Sequence, residues 1–244
     1  MTLPQQQEPQ THAPAPATPA AGALLDCRSL TRILPFALYM AFIAITDGLQ
    51  RAGWTTAELY WLYPVKAGVV LLALLACWRN YGELAWHGMK TGTMLASAAI
   101  GFAVFVLWVN LDAGWMQIGS PDGYQPRDAA GQLDWVLIAV RIAGAALVVP
   151  LMEELFWRSF LMRWIDAPDF LRVHPARITL KALLFTVVLF GFEHSLWLAG
   201  MVAGAAYGLL YMRTATLWAP IIAHAVTNGS LGIWVVITGN WTYW

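Results

Sequence analysis

The sequence predicts an all-α fold, a polytopic membrane helical bundle of seven to eight transmembrane helices. Three observations predict it. Of the 244 residues, 59% are hydrophobic and only 11% are charged, whereas soluble domains carry about 25% charged residues. Mean hydropathy is +0.57. Apolar runs recur along the whole chain, close to the roughly 20 residues that cross about 30 Å of hydrocarbon. The formal net charge is zero, which argues against nucleic acid as a partner; the lipid bilayer is the expected surroundings.

Taken in order, residues 1–27 are rich in Pro, Ala and Gln. They lack both the basic start and the apolar core of a signal peptide, and are expected to form a disordered cytoplasmic tail. Residues 28–244 are read as one integral membrane domain. Candidate spans cover 32–49, 59–78, 92–111, 134–165 and 179–199, and Arg213-Thr214 divides 200–238 into two more. The 134–165 segment would be about 48 Å long as a helix, longer than a bilayer is thick. A break at Pro150 would supply an eighth span. With the N-terminus inside, eight loop Lys and Arg residues fall on the cytoplasmic side and only Arg51 and Arg127 outside, which orients the chain by the positive-inside rule. Trp61, Trp78, Trp115, Trp135 and Trp164 sit near span ends and read as interfacial anchors. Gly200, Gly204 and Gly208, four apart, read as a close helix-packing surface. Cys27 and Cys77 flank different spans and read as free thiols.

Against this apolar background a few polar residues stand out. A charge at mid-bilayer costs about 2.5–3.5 kcal/mol on insertion scales, yet Glu153, Glu154 and Arg158 lie in the fourth span, Glu193 and His194 in the next, and His224 and Asn228 in the last. Glu154 and Arg158 are four apart and share a helix face, so they can pair. Glu153 lies about 100° round the helix from Glu154 and is left free to face a cavity. His224 and Asn228 also share a face. Such a set suits hydrolysis: a buried carboxylate as general base, a histidine beside it, and a second histidine with an amide to stabilise an oxyanion. No Ser or Cys has an obvious paired base. Glu193 has Lys181 and Arg141 as candidate ion partners. Alternative readings are a non-catalytic membrane scaffold or immunity-type protein, a metal-dependent membrane hydrolase, and a transporter. No H-E-x-x-H motif supports a metal, and paired interrupted helices in two halves, expected of a transporter, are not found.

The run Glu153-Glu154-x-x-x-Arg158, then Phe190-x-x-x-His194, then His224-x-x-x-Asn228 resembles the three motifs of the CPBP family. This family includes the type II CAAX prenyl endopeptidases and the bacteriocin-processing or self-immunity (Abi) proteins. The resemblance covers about 140–235. It implies an intramembrane glutamate-type endopeptidase with an α-helical fold and no cofactor or bound metal, acting on a membrane-embedded peptide or protein. Carried over by position, Glu153 would activate water with His194 assisting, His224 and Asn228 would form the oxyanion site, and Glu154 and Arg158 would support them. The resemblance also implies a site open to the cytoplasmic side. The C-terminal half is similar to bacterial CAAX prenyl protease-related proteins that accompany exosortase systems. That implies a bacterial inner membrane location and exosortase-system proteins as partners. For Glu153 and His194 to meet at one depth, the membrane part of the fourth span has to be about 143–162.

Overall fold

The computed structural model describes residues 26–86, 88–119, 123–128 and 130–244. The tail expected over 1–27 therefore lies, up to residue 25, outside the described residues. Among the described residues the fold is a bundle of seven helices: α1 (Cys27–Arg51), α2 (Leu62–Ala76), α3 (Thr91–Trp108), α4 (Trp135–Trp164), α5 (Leu180–Phe192), α6 (Trp197–Thr214) and α7 (Trp218–Thr238). Among the described residues no strand forms; one isolated antiparallel bridge joins Arg127 and Leu133.

Local chemistry starts three of these helices. The side chains of Asp26, Asp134 and Thr179 accept from free backbone N–H groups of the first turns of α1, α4 and α5, donors that have no partner within the helix itself. α6 and α7 end on left-handed residues, Ala215 and Gly239, which stop helical hydrogen bonding. Five helices are long and apolar enough to cross a membrane: α1, α2 with the turn before it, α3, α4 and α7. Their outer faces carry exposed Leu72, Leu95, Phe102, Val136, Leu147 and Ile237. Apolar surface of this extent is stable against lipid rather than water. The chain is a multi-pass membrane protein.

The other two helices pair with each other, and α5 turns Leu180, Leu184, Phe185 and Phe192 outward. α5 has 13 residues, about 20 Å, and ends short of a full crossing. α6 packs against it through glycines. A Cβ on Gly208 would strike Leu183, one on Gly204 would press on Phe190, and one on Gly200 would press on Gly191. The four-residue glycine stripe is thus the α5–α6 contact surface. α3 and α7 also approach closely, since a Cβ on Gly101 would collide with the backbone carbonyl of Ala223.

α4 does not break at Pro150, so no eighth helix forms. Instead it widens into π-helical turns at 144–148 and 155–161. Val149 N–H bonds the carbonyl of Gly144, five residues back. In that register the next acceptor, the carbonyl of Ala145, faces Pro150, which has no N–H. Asn228 Nδ2 donates to it instead at 2.8 Å. A side chain from α7 thereby replaces the bond that proline removes.

The bundle has two polar ends. The amino-terminal end gathers the start of α1, the described residues of the 77–90 connection, the 165–179 connection and the α6–α7 turn. There Arg32 grips both oxygens of Glu83, Nε to Oε1 at 2.7 Å and Nη2 to Oε2 at 2.6 Å, while Ser159 of α4 also donates to Glu83 Oε1. Arg163 donates to the carbonyls of Leu171 and Val173. The opposite end gathers 52–61, 109–119, 123–128, 130–134, 193–196 and 239–244. Ile118 N–H bonds Ser195 O, Trp197 bonds Trp115 O, and Tyr243 bonds Asp112.

Candidate active site

The wide turn 155–161 and the turn before it set the side chains of the MEELFWR stretch. Glu153 and Glu154 are both buried, 4% and 0% exposed, yet they face different surroundings. Glu154 points into protein: Oε1 accepts from Arg158 Nη1 at 3.1 Å and lies 2.9 Å from His224 Nδ1. Arg158 is further held over the rings of Phe190 and Tyr207, with its carbon 4.4 and 5.4 Å from their centres, an arrangement favourable to a desolvated cation. Glu153 instead lines a cavity of about 230 Å³, and its Oε2 is buried without a hydrogen-bond partner.

His194, His224 and Asn228 line the same cavity. His194 follows the end of α5, and its Nδ1 lies 2.8 Å from the carbonyl of Phe190. A carbonyl only accepts, so Nδ1 carries the proton and Nε2 is left as an acceptor in the neutral ring. Trp108 meets this ring edge-on at 5.2 Å between centres. His224 is turned by Glu154 through Nδ1 and stacked on Tyr207 at 5.0 Å, which again leaves Nε2 for the cavity. Asn228 spends one amide hydrogen on Ala145 O and keeps a second. The sequence-derived set therefore divides in two. Glu153, His194, His224 and Asn228 share the cavity wall, while Glu154 and Arg158 lie behind it.

The depth problem raised by the sequence has a simple solution. α5 stops at Phe192, and His194 beyond it lines the same cavity as Glu153 of the long α4. Glu193 also lines it, and its Oε2 accepts from Trp157 Nε1 at 3.0 Å. An indole on α4 fills the place expected for Lys181 or Arg141. Arg141 instead stacks on Tyr63, 4.4 Å from the ring centre. Residues that sequence reasoning missed include Tyr207, whose OH donates to Thr227 Oγ1 at 2.7 Å, and Thr227, which bonds Gly101 O at 2.7 Å. No charge marks them. Their only signal is helical spacing: Thr227 sits one residue before Asn228, and Tyr207 lies on the glycine-bearing α6. Among the described residues, no group of three or more His, Cys, Asp or Glu side chains is placed to hold a metal ion.

The cavity does not lead towards the amino-terminal end. A second hollow of about 350 Å³, lined by Asp112, Gln117, Ser195, Leu196 and Thr242, shares Trp108, Glu193, His194, Tyr243 and Trp244 with it. The site thus continues to the opposite end of the bundle. The sequence placed both the N-terminus and the opening of the site on the cytoplasmic side. This geometry separates them, because α1 begins at one end and the cavity opens at the other.

Neither a curated protein nor a solved structure matches the chain. Residues 135–230 match the family model described as type II CAAX prenyl endopeptidase Rce1-like. The matched segment runs from the start of α4 through Asn228, and so contains every residue of the candidate site named from the sequence. Over residues 135–230 this membrane protein is similar to the Rce1-like family of CAAX prenyl endopeptidases.

Proposed function

We propose that this protein is an intramembrane glutamate-type endopeptidase that hydrolyses a membrane-associated peptide. The observation that carries the reading is the contrast between two adjacent buried carboxylates, each with one oxygen unpartnered: Glu154 is bonded to Arg158 and His224 behind the cavity wall, while Glu153 lines the cavity itself. An ionisable group buried in lipid-embedded protein is costly and is by default held there for a use.

In the proposed reaction a water molecule sits between the Glu153 carboxylate and Nε2 of His194. Glu153 takes a proton as the water oxygen attacks the scissile carbonyl. The carbonyl oxygen becomes an oxyanion beside His224 and Asn228. Asn228 donates its second amide hydrogen, and His224 donates through Nε2 as an imidazolium whose charge Glu154 shares. The tetrahedral intermediate collapses, the C–N bond breaks, and Glu153 returns its proton to the leaving amine. A positioned general base is worth about 10²–10⁴-fold in rate, and one oxyanion donor about 10²–10³-fold. Arg158 acts through Glu154, as a positioning residue.

The proposal places the protein in a bacterial inner membrane with its N-terminus in the cytoplasm. Exosortase-system proteins are the proposed partners, and co-purification with an epitope-tagged chain tests that. For the reaction itself, wild type and Glu153→Gln are purified in detergent, and both melting temperature and processing of candidate membrane substrates are measured. Glu153→Gln is expected to keep its fold and lose cleavage. Wild type that cuts nothing, with Glu153→Gln altering only the melting temperature, would overturn the reading in favour of a scaffold.

A further inference from the structure

Which membrane face feeds the site determines what the site can cut. The cavity around Glu153 and the vestibule beside it share five lining residues, so they form one path, and the outer part of that path is built from Asp112, Gln117, Ser195 and Thr242. All four belong to connections at the end opposite the start of α1. The path passes Glu193, His194, Ser195 and Leu196, just beyond the end of α5 at Phe192. In the other direction the way is filled. Leu155, Phe160 and Met162 of α4 are each no more than 2% exposed, and Arg158 and Ser159 are buried among them. The hollow at the amino-terminal end, lined by Glu83, Trp86, Arg163 and Tyr211 among others, has no lining residue in common with the cavity.

Charge then assigns the two faces. Exposed Arg28, Arg79, Lys90, Arg172, Arg177 and Arg213 lie at the amino-terminal end. The opposite end has exposed Arg51 and Arg127, alongside the acidic Glu58, Asp112, Asp128 and Asp134. Lys and Arg in short loops near span ends stay on the cytoplasmic side.

We propose that the site is loaded from the extracytoplasmic face of the membrane, and that its substrate is a membrane-anchored protein whose cleavable segment emerges on that face rather than a lipidated cytoplasmic tail. The access path stands on geometry and charge; only the word substrate rests on the peptidase reading. A segment entering by the vestibule passes the Trp108, Tyr243 and Trp244 rings before it reaches Glu153 and His194. Aromatic walls suit an extended peptide, offering both apolar contact and polar edges.

Thiol labelling tests the path without requiring cleavage. Cys27 is exposed at the amino-terminal end and serves as a native reporter of that face. In a Cys27→Ser, Cys77→Ser background, Ser195→Cys reports the vestibule, and Leu231→Cys and Ala145→Cys report the cavity wall. Spheroplasts and inverted vesicles are treated with a membrane-impermeant maleimide, and with a small charged methanethiosulfonate for the two wall positions. The expected result is that Ser195→Cys and at least one wall cysteine react in spheroplasts, while Cys27 of the native chain reacts only in inverted vesicles. Reaction of Ser195→Cys only in inverted vesicles, or failure of both wall cysteines to react in spheroplasts, would overturn the proposal. Cleavage of candidate substrates is scored separately. Cleavage together with inverted-only labelling sinks the access proposal and leaves the peptidase standing. The expected labelling without cleavage of any outward-facing substrate does the reverse.

Discussion

Two regions of this molecule bury acidic and basic side chains together, and they differ in whether the polar atoms are satisfied. At the amino-terminal end, both oxygens of Glu83 accept from Arg32, and Ser159 adds a further bond. Arg32 also donates to the carbonyls of Arg28 and Asn80. In mid-bundle, Arg158 and His224 share one oxygen of Glu154, while Oε2 of Glu154 and Oε2 of Glu153 are buried without partners. The first cluster ties α1, the 77–90 connection and α4 together, and nothing is left over to react. The second holds unused hydrogen-bonding capacity, and that of Glu153 lies against a cavity. Fully bonded buried charge is architecture, whereas capacity left open at a cavity wall is where a reacting molecule can be held.

The sharpest way to break that contrast is to make the same substitution in both places. Glu153→Gln is expected to lower the cleavage rate by about 10²–10⁴-fold, with a melting temperature equal to or above wild type. Glu83→Gln is expected to lower the melting temperature and leave the rate per folded molecule within about twofold, since general-base contributions are absent there. Rates and melting curves of the two purified variants, measured side by side, decide it. Loss of cleavage in both, or in neither, would dissolve the distinction.

Next in size is Arg158→Met. It leaves the Glu154 carboxylate buried with only His224 beside it. Removing one partner of a buried pair costs about 3–5 kcal/mol, whereas replacing both partners with apolar groups is often close to neutral. Thermal unfolding in detergent should therefore show a large loss for Arg158→Met and a partial recovery of stability for the double variant Glu154→Leu, Arg158→Met. Cleavage should not recover with it, because His224 loses the carboxylate that turns it.

These regions were unequally legible in the sequence. The mid-bundle set stood out because charges at regular spacing in apolar spans have few innocent explanations, and the i, i+4 relation of Glu154 and Arg158 is a property of any helix. The helical class followed from composition, hydropathy and the length of the apolar runs. The end cluster was not legible, because Arg32 and Glu83 are 51 residues apart and both lie where loop charges are ordinary. The continuity of α4 was also hidden. Pro150 reads as a break, and only the carbonyl of Ala145 reaching Asn228 explains why none occurs. The direction of the opening depended on the length of α5, a boundary hidden because apolar residues resume after Glu193-His194-Ser195 within 179–199.

Glu83 also gives the end cluster a pH signature. Burial works against its carboxylate, but the Arg32 guanidinium and the Ser159 hydroxyl outweigh it and hold the pKa below the ordinary value. A carboxylate depressed in the folded state contributes stability that is present above its unfolded pKa, about 4.3, and is lost as pH falls through the folded value. Wild type should therefore lose melting temperature progressively below about pH 4.3. Glu83→Gln should start lower at neutral pH and fall less steeply on acidification. Parallel slopes would mean that the cluster contributes no linked proton uptake and that its bonds do not matter to stability.

The smallest effect is the most demanding test. Tyr207 lies against the reacting side of the site, its ring stacked on His224, yet its OH is satisfied by Thr227 and Thr227 by Gly101. If satisfied groups are architecture even at the cavity wall, Tyr207→Phe should behave like a substitution at the amino-terminal end. It should cost about 1 kcal/mol of stability, as one neutral hydrogen bond does, and leave cleavage near wild type because the ring still supports His224. Tyr207→Ala should lose both, since it removes that ring and one of the two over which Arg158 lies. A Tyr207→Phe variant that melts like wild type and no longer cleaves would mean that this hydroxyl leaves Thr227 to serve the reaction. Bonding in the resting protein would then no longer separate the groups that hold the bundle from those that do its chemistry.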